Sequence, residues 1–278
     1  MRLRSLLFVP GDRPDRMEKA LGLGADALIL DLEDSVAPAK KDEAREAVVS
    51  LLRRADRPIP LVVRVNALGT RLIDADLIAV TAARADAIML PKAEGAASIR
   101  ALSPWTGLPV IPIATETPAA VFALGSYVEV RDRLLALTWG AEDLPAAIGA
   151  TAAREADGRY TAPIETARSL ALFAAHAAGV AAIETVYPDF RDLEGLAAYA
   201  ARGARDGFAG MMAIHPDQVP VINRAFTPGE AEIEAARAIV AAFSSNPGAG
   251  VLAVDGKMVD APHLAQARRV LERAGEGA

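Results

Sequence analysis

The sequence predicts an α/β chain that closes a (β/α)8 barrel, and three observations carry that expectation. Eight short apolar runs recur, at residues 5–9, 27–32, 61–65, 87–90, 110–114, 134–139, 181–186 and 211–214. They show little polar/apolar alternation, as strands covered on both faces of a parallel sheet do. The stretches between them are polar, rich in Ala and long enough for crossover helices. Eight such units in about 220 residues is the size of a TIM barrel. A doubly wound open sheet is the alternative that the same pattern allows.

After the eighth unit the pattern changes, which divides the chain into a barrel over 1–225 and an extension over 226–278. Thr227-Pro228 reads as an N-cap with Pro at the first helical position, starting a helix that runs to about Phe243. Ser244 to Gly248 is a cluster of turn residues that ends it. Residues 251–254 and 258–259 are joined through Asp255-Gly256, a hairpin signal. A last helix from about Pro262 carries Leu264, Ala267, Val270 and Leu271 at helical spacing. The extension is therefore helix–hairpin–helix, a candidate lid or subunit bridge, with simple covering of the barrel edge as its structural reading.

Composition removes several functional classes. The 278 residues contain no Cys, which excludes disulfides, thiolate metal ligands and a Cys nucleophile. A net charge of -6 without a basic cluster argues against a nucleic-acid partner. The longest apolar stretch, 170–183, falls short of the roughly 20 residues a membrane-spanning helix needs, and the N-terminal run is too short for a signal peptide. A cytoplasmic chain is expected. Three His residues without HxH or HExxH spacing make zinc a poor fit. Trp105, Trp139, Phe173 and Phe243 read as packing aromatics.

In a barrel, chemistry gathers where strands end at the C-terminal face. Polar residues end all eight runs: Gly11-Asp12-Arg13, Asp31-Leu32-Glu33-Asp34, Arg64-Val65-Asn66, Pro91-Lys92, Thr115-Glu116-Thr117, Glu142-Asp143, Glu184-Thr185 and His215-Pro216. Arg64 and Lys92 facing several carboxylates form a polar floor. Glu116 and Asp143, on neighbouring units, could converge on one hard cation. Two carboxylates that leave room for water and substrate oxygens suit Mg2+. The structural readings are a helix cap for Asp143 and a salt bridge to Arg64 for Glu116.

Taken together, Arg4–Gly11, Leu30–Pro38, Arg64-Val65-Asn66, Leu90-Pro91-Lys92, Glu116-Thr117-Pro118, Gly140–Leu144, Ala213–Val219 and Val254–His263 resemble the citrate lyase beta-subunit / malyl-CoA lyase family, CoA-ester lyases of the HpcH/HpaI aldolase superfamily. The match runs in order from about residue 4 to residue 271. The resemblance implies a Mg2+-dependent carbon–carbon lyase that cleaves or condenses a 3-hydroxyacyl-CoA such as citramalyl-CoA or malyl-CoA, with a short acyl-CoA and a 2-oxo acid as the other pair. By resemblance Glu116 and Asp143 are the metal ligands, and Arg64 binds the substrate beside the metal. Phe8, Arg13, Lys19, Ile214 and His215 fall at CoA contacts. Asp260 falls at an acid/base position delivered by a neighbouring subunit, which implies a homotrimer or a multiple of it; its structural reading is a helix N-cap. Thr115 stands where many relatives carry an aliphatic residue. The alternatives are the catalytic beta subunit of a citrate lyase complex working on an acyl-carrier-protein thioester, a Mg2+-dependent 2-oxo-acid aldolase without a thioester, and a non-catalytic ligand-binding subunit.

Overall fold

A computed structural model describes residues 1–276 and divides the chain into two compact units, 1–223 and 224–278. The last two residues of the extension expected from the sequence lie outside the described residues.

The first unit alternates strands and helices in chain order: β1 (Ser5–Pro10), α1 (Pro14–Ala20), β2 (Ala27–Asp31), α2 (Lys41–Leu52), β3 (Leu61–Arg64), α3 (Ile73–Ala82), β4 (Ala87–Leu90), α4 (Ala96–Ala101), β5 (Val110–Pro112) and α5 (Pro118–Ala123). It continues through a 3-10 segment (Leu124–Arg133), β6 (Ala136–Thr138), α6 (Asp143–Ala147), α7 (Ala162–Ala178), β7 (Ala181–Glu184), α8 (Leu193–Asp206), β8 (Gly210–Ala213) and α9 (Gln218–Ala225), whose last two residues fall past the division at 223. The strands run in the order β5-β4-β3-β2-β1-β8-β7-β6. All seven ladders are parallel. The β1–β8 ladder removes the open-sheet alternative. The two free edges meet through parallel bridges at Val110–Leu134 and Ile113–Thr138, so the barrel is nearly closed. No described helix is long and apolar enough to cross a membrane.

The barrel core is built from alternate residues of each strand, because successive side chains point to opposite faces. Leu6, Ala27, Ile29, Val62, Ala87, Met89, Ile111, Ile113, Ala136, Ile183 and Met212 are buried together there, with Phe8 packed against them. The same period of two continues to the strand ends. Asp31 follows Ala27 and Ile29, Arg64 follows Val62, and the β2–β3 register sets Asp31 opposite Arg64. Among the packing aromatics, Trp139 is buried and Phe243 partly buried, whereas Trp105, in the turn after α4, and Phe173, on α7, are exposed. His176 bonds the Gly207 carbonyl at 3.1 Å.

In the second unit α10 (Glu230–Ser245) and α11 (Ala261–Ala274) pack together and flank an antiparallel hairpin of β9 (Val251–Val254) and β10 (Lys257–Asp260). Asp255 and Gly256 both take positive φ, 48° and 74°, as a two-residue hairpin turn of this type requires. The helix expected from Thr227-Pro228 begins instead at Glu230. Gly229 is its N-cap, and the Glu232 carboxylate accepts the Gly229 N–H at 3.0 Å, reaching back over the first turn.

Candidate active site

The C-terminal ends of the strands surround a cavity of about 310 Å³. Phe8, Asp31, Asp34, Arg64, Glu116, Trp139, Gly140, Asp143, Thr185 and Ile214 are among its lining residues. Five positions singled out from the sequence, Phe8, Arg64, Glu116, Asp143 and Ile214, therefore share one cavity.

Arg64 is fixed by its neighbours. Its Nε and Nη2 donate to the two oxygens of Asp31, both at 2.7 Å. Its Nη1 lies 3.2 Å from Glu33, and its guanidinium stacks over the Phe8 ring at 4.8 Å. Asp31 also accepts the backbone N–H groups of Glu33 and Ser35. Burial alone would raise the Asp31 pKa, but the Arg64 and backbone hydrogen bonds outweigh it and hold the carboxyl below its usual range. The salt bridge considered from sequence, Arg64 to Glu116, does not form. Register gives Arg64 to Asp31.

Glu116 is held differently. It is 4% exposed, and the backbone N–H of Lys92 donates to its Oε2. Burial pushes its pKa up to about 8, and the Lys92 N–H and charge only partly oppose that rise. Gly140 lies tight against it: a Cβ there would come within 2.8 Å of the Glu116 Cγ. Thr115 fastens this approach, donating from Oγ1 to the Gly140 carbonyl at 3.0 Å and accepting the Gly140 N–H at 3.1 Å. Asp143 is the first residue of α6, with Glu142 at the N-cap position. Asp143 therefore does not cap the helix, and its carboxylate stands 3.7 Å from the Lys92 ammonium, which also contacts Glu33 at 2.9 Å.

Behind the cavity two buried networks, unanticipated in the sequence, support the strand ends. Glu184 is fully buried and accepts from Trp139 Nε1 at 2.6 Å, Tyr199 Oη at 2.9 Å and Arg168 Nε at 2.8 Å. Lys41 donates to the carbonyls of Leu32 and Glu33, each at 2.7 Å, and to Asn66 Oδ1. Asn66 in turn bonds the buried Asp76.

The remaining sequence candidates lie elsewhere. Arg13 precedes α1 and pairs with Asp15 at 3.0 Å, and Lys19 is exposed in the last turn of α1. His215 stacks on Phe190, with ring centroids 5.0 Å apart. The Ile214 and His215 N–H groups are both held by Gln218 Oε1, and Gln218 is anchored on the Tyr187 carbonyl. Asp260, in the second unit, ends β10 at the N-cap of α11. Its Oδ1 lies 2.5 Å from His263 Nδ1, and that hydrogen bond holds its carboxyl below the usual range.

Could the cavity hold a metal? Among the described residues no three or more His, Asp or Glu group to bind an ion. Glu116 and Asp143 supply two oxygen ligands on one cavity, an arrangement that suits a hard cation which keeps several waters. A buried carboxylate short of positive partners, at a wall kept thin by Gly140, fits such an ion.

Comparison with known proteins places this arrangement in context. A family model described as HpcH/HpaI aldolase/citrate lyase matches residues 4–216. A citrate lyase subunit beta-like protein of Mycobacterium tuberculosis is 41% identical, over 97% of this chain and 95% of its own. A (3S)-malyl-CoA thioesterase of Cereibacter sphaeroides is 38% identical, over 98% and 94%. The mitochondrial citramalyl-CoA lyase of Homo sapiens is 32% identical, over 98% and 85%. A crystal structure of the Mycobacterium tuberculosis protein CitE with magnesium, acetoacetate and coenzyme A superposes with a TM-score of 0.86 at 40% identity, covering 98% of both chains.

Proposed function

Since this chain belongs to the HpcH/HpaI aldolase/citrate lyase family, we propose that it is a Mg2+-dependent lyase that cleaves a 3-hydroxyacyl-CoA, such as citramalyl-CoA or malyl-CoA, into a short acyl-CoA and a 2-oxo acid, or condenses the same pair. The observation that carries this reading is the convergence of Arg64, Glu116 and Asp143 on one cavity at the C-terminal ends of the strands. The magnesium, acetoacetate and coenzyme A bound by the Mycobacterium tuberculosis relative support the choice of ion and substrate class.

In cleavage the bond between C2 and C3 of the acyl chain breaks. Its electron pair passes to the thioester carbonyl as an enolate, the 3-hydroxyl loses its proton to become the 2-oxo group, and the enolate carbon gains a proton. Glu116 and Asp143 would hold Mg2+, which when bound supplies Lewis-acid stabilisation to the oxygens of the 2-oxo acid. Arg64, its plane fixed by Asp31, presents the N–H groups that Asp31 does not take to the substrate carboxylate or carbonyl oxygen. Phe8 both supports the Arg64 guanidinium and, with Ile214, gives the cavity an apolar wall on the side assigned to CoA. Arg13, Lys19 and His215 complete that assignment toward the phosphates and adenosine.

Proton transfer at the enolate carbon is assigned to Asp260, working in the site of a neighbouring copy in a trimer or a multiple of it. The His263 contact favours its carboxylate form, which suits proton removal in the condensation direction. Asp260→Asn should lower kcat by about 100- to 10,000-fold. The change should cost about 1 kcal/mol of stability or less, because Asn suits an N-cap position as well as Asp does. Normal turnover in a folded Asp260→Asn enzyme would remove Asp260 from the mechanism.

The reading as a whole is tested with purified protein, Mg2+ and a panel of 3-hydroxyacyl-CoA thioesters. Release of acyl-CoA and 2-oxo acid, abolished by chelator, is the expected result. Turnover that requires an acyl carrier protein would transfer the chain to a citrate lyase complex. Free thiol without 2-oxo acid would make it a thioester hydrolase. Binding of CoA without turnover would make it a binding subunit.

A further inference from the structure

Lys92, in the turn two residues beyond β4, has φ at +51°, a left-handed backbone that non-glycine residues rarely adopt. This conformation turns two groups of one residue toward the same cluster of acids. The backbone N–H donates to Glu116, while the ammonium lies 2.9 Å from Glu33 and 3.7 Å from Asp143. Glu33 also lies 3.2 Å from Arg64, so the Arg64 charge is compensated on the Asp31–Glu33 side while its remaining N–H groups stay available to the cavity. The charge that faces Glu116 and Asp143 from within the chain is then that of Lys92.

We propose that Lys92 is the built-in counter-cation of the Glu116–Asp143 site: it keeps the two carboxylates in place without a metal, and its positive charge limits how tightly a divalent cation binds between them. The proposal rests on the reading of Glu116 and Asp143 as metal ligands. The two contributions of Lys92 are separable. The N–H contact to Glu116 belongs to the backbone and survives a change of side chain. The ammonium does not, and a divalent ion bound by the same carboxylates is repelled by it through a partly exposed, screened environment.

The experiment is Mg2+ titration by calorimetry, paired with melting curves in chelator and in saturating Mg2+, on Lys92→Met, Lys92→Gly and Lys92→Arg. Met keeps the length without the charge. Gly adopts the left-handed backbone freely, so it protects the test against a variant that fails to fold. Met and Gly should bind Mg2+ about tenfold more tightly than the wild type, and their Mg2+-induced rise in Tm should be larger. Arg should keep the wild-type affinity. Equal or weaker Mg2+ binding by both Met and Gly overturns the proposal alone, as does a Tm loss of equal size with and without Mg2+ and no gain in affinity, which is what a merely structural lysine would give. A wild-type chain that binds no Mg2+, or Glu116→Gln and Asp143→Asn variants that bind it normally, overturns the metal-site reading and the proposal with it.

Discussion

The mouth of the barrel holds two carboxylate clusters built on opposite principles. On the β2–β3 side, Asp31 is buried yet held ionised by two Arg64 hydrogen bonds and two backbone N–H groups. On the β4–β6 side, Glu116 is equally buried but has one backbone donor and a shared lysine, and its pKa is pushed up to about 8. One cluster carries its own neutralising charge. The other is short of positive charge, which suits it to the divalent cation proposed for it.

Breaking the self-neutralised side should have the largest effect. Arg64→Ala leaves Asp31 buried without its cation, at a cost of about 3–5 kcal/mol, visible as a large fall in Tm. Arg64→Lys restores a charge but not the two-pronged geometry, and kcat should fall by about 100-fold or more while the protein still folds. A Tm for Arg64→Ala within a degree or two of wild type would show that the two clusters do not differ as described.

Next in size is the charge-poor side, where substitution should act in the opposite sense on the metal-free protein. For Glu116 the folded pKa lies above the unfolded value of about 4.3. Between that value and about 8 the native state binds more protons than the unfolded one, so wild-type stability in chelator falls as pH rises through this window. Glu116→Gln cannot ionise and should lack that decline, melting at or above the wild-type Tm at pH 8 in chelator. Mg2+ affinity should drop by more than about tenfold, since even the outer partners of a metal ligand are worth that much. Melting curves from pH 5 to 8, with and without Mg2+, check both. Parallel pH profiles for the two proteins would contradict the assignment of Glu116 as the uncompensated acid.

The contrast also explains what the sequence could and could not reveal. Strand ends are readable from apolar runs, so Arg64, Glu116 and Asp143 were found one by one, whereas Phe8 and Ile214 came from the family resemblance alone. Their partners depend on which strands lie side by side and in what register, and that is long-range information. The β2–β3 ladder sets Asp31 against Arg64, which is why the Arg64–Glu116 salt bridge, weighed as the structural alternative for Glu116, does not form. Arg168 gives no signal in the sequence, but the helix it sits on turns it inward to Glu184. Gln218 stood within a quoted motif, yet its work depends on the Tyr187 carbonyl 31 residues away. The left-handed backbone at Lys92 has no sequence signal, because residues other than Gly, Asn and Asp seldom mark such positions. In the second unit, local signals competed: Thr227-Pro228 is a good helix start, but the Glu232 carboxylate on Gly229 moved the start two residues on.

The smallest expected effect is the most discriminating, because it leaves every charged group in place. Thr115 is fully buried and exchanges two hydrogen bonds with Gly140, the residue packed against Glu116. Thr115→Val keeps the shape and removes both bonds, leaving the Gly140 N–H and carbonyl without this partner at a cost of about 1–3 kcal/mol. If the Glu116 side depends on close placement rather than on charge saturation, loosening Gly140 should also weaken Mg2+ binding severalfold. The Asp31–Arg64 side, two strands away and independently bonded, should keep its acid stability limb unchanged. Calorimetric Mg2+ affinity together with a melting series below pH 5 reads the two sides separately. A Thr115→Val protein with wild-type Mg2+ affinity would mean that Gly140 contributes only to folding, and that the metal side is fixed by Lys92 and the strand ends alone.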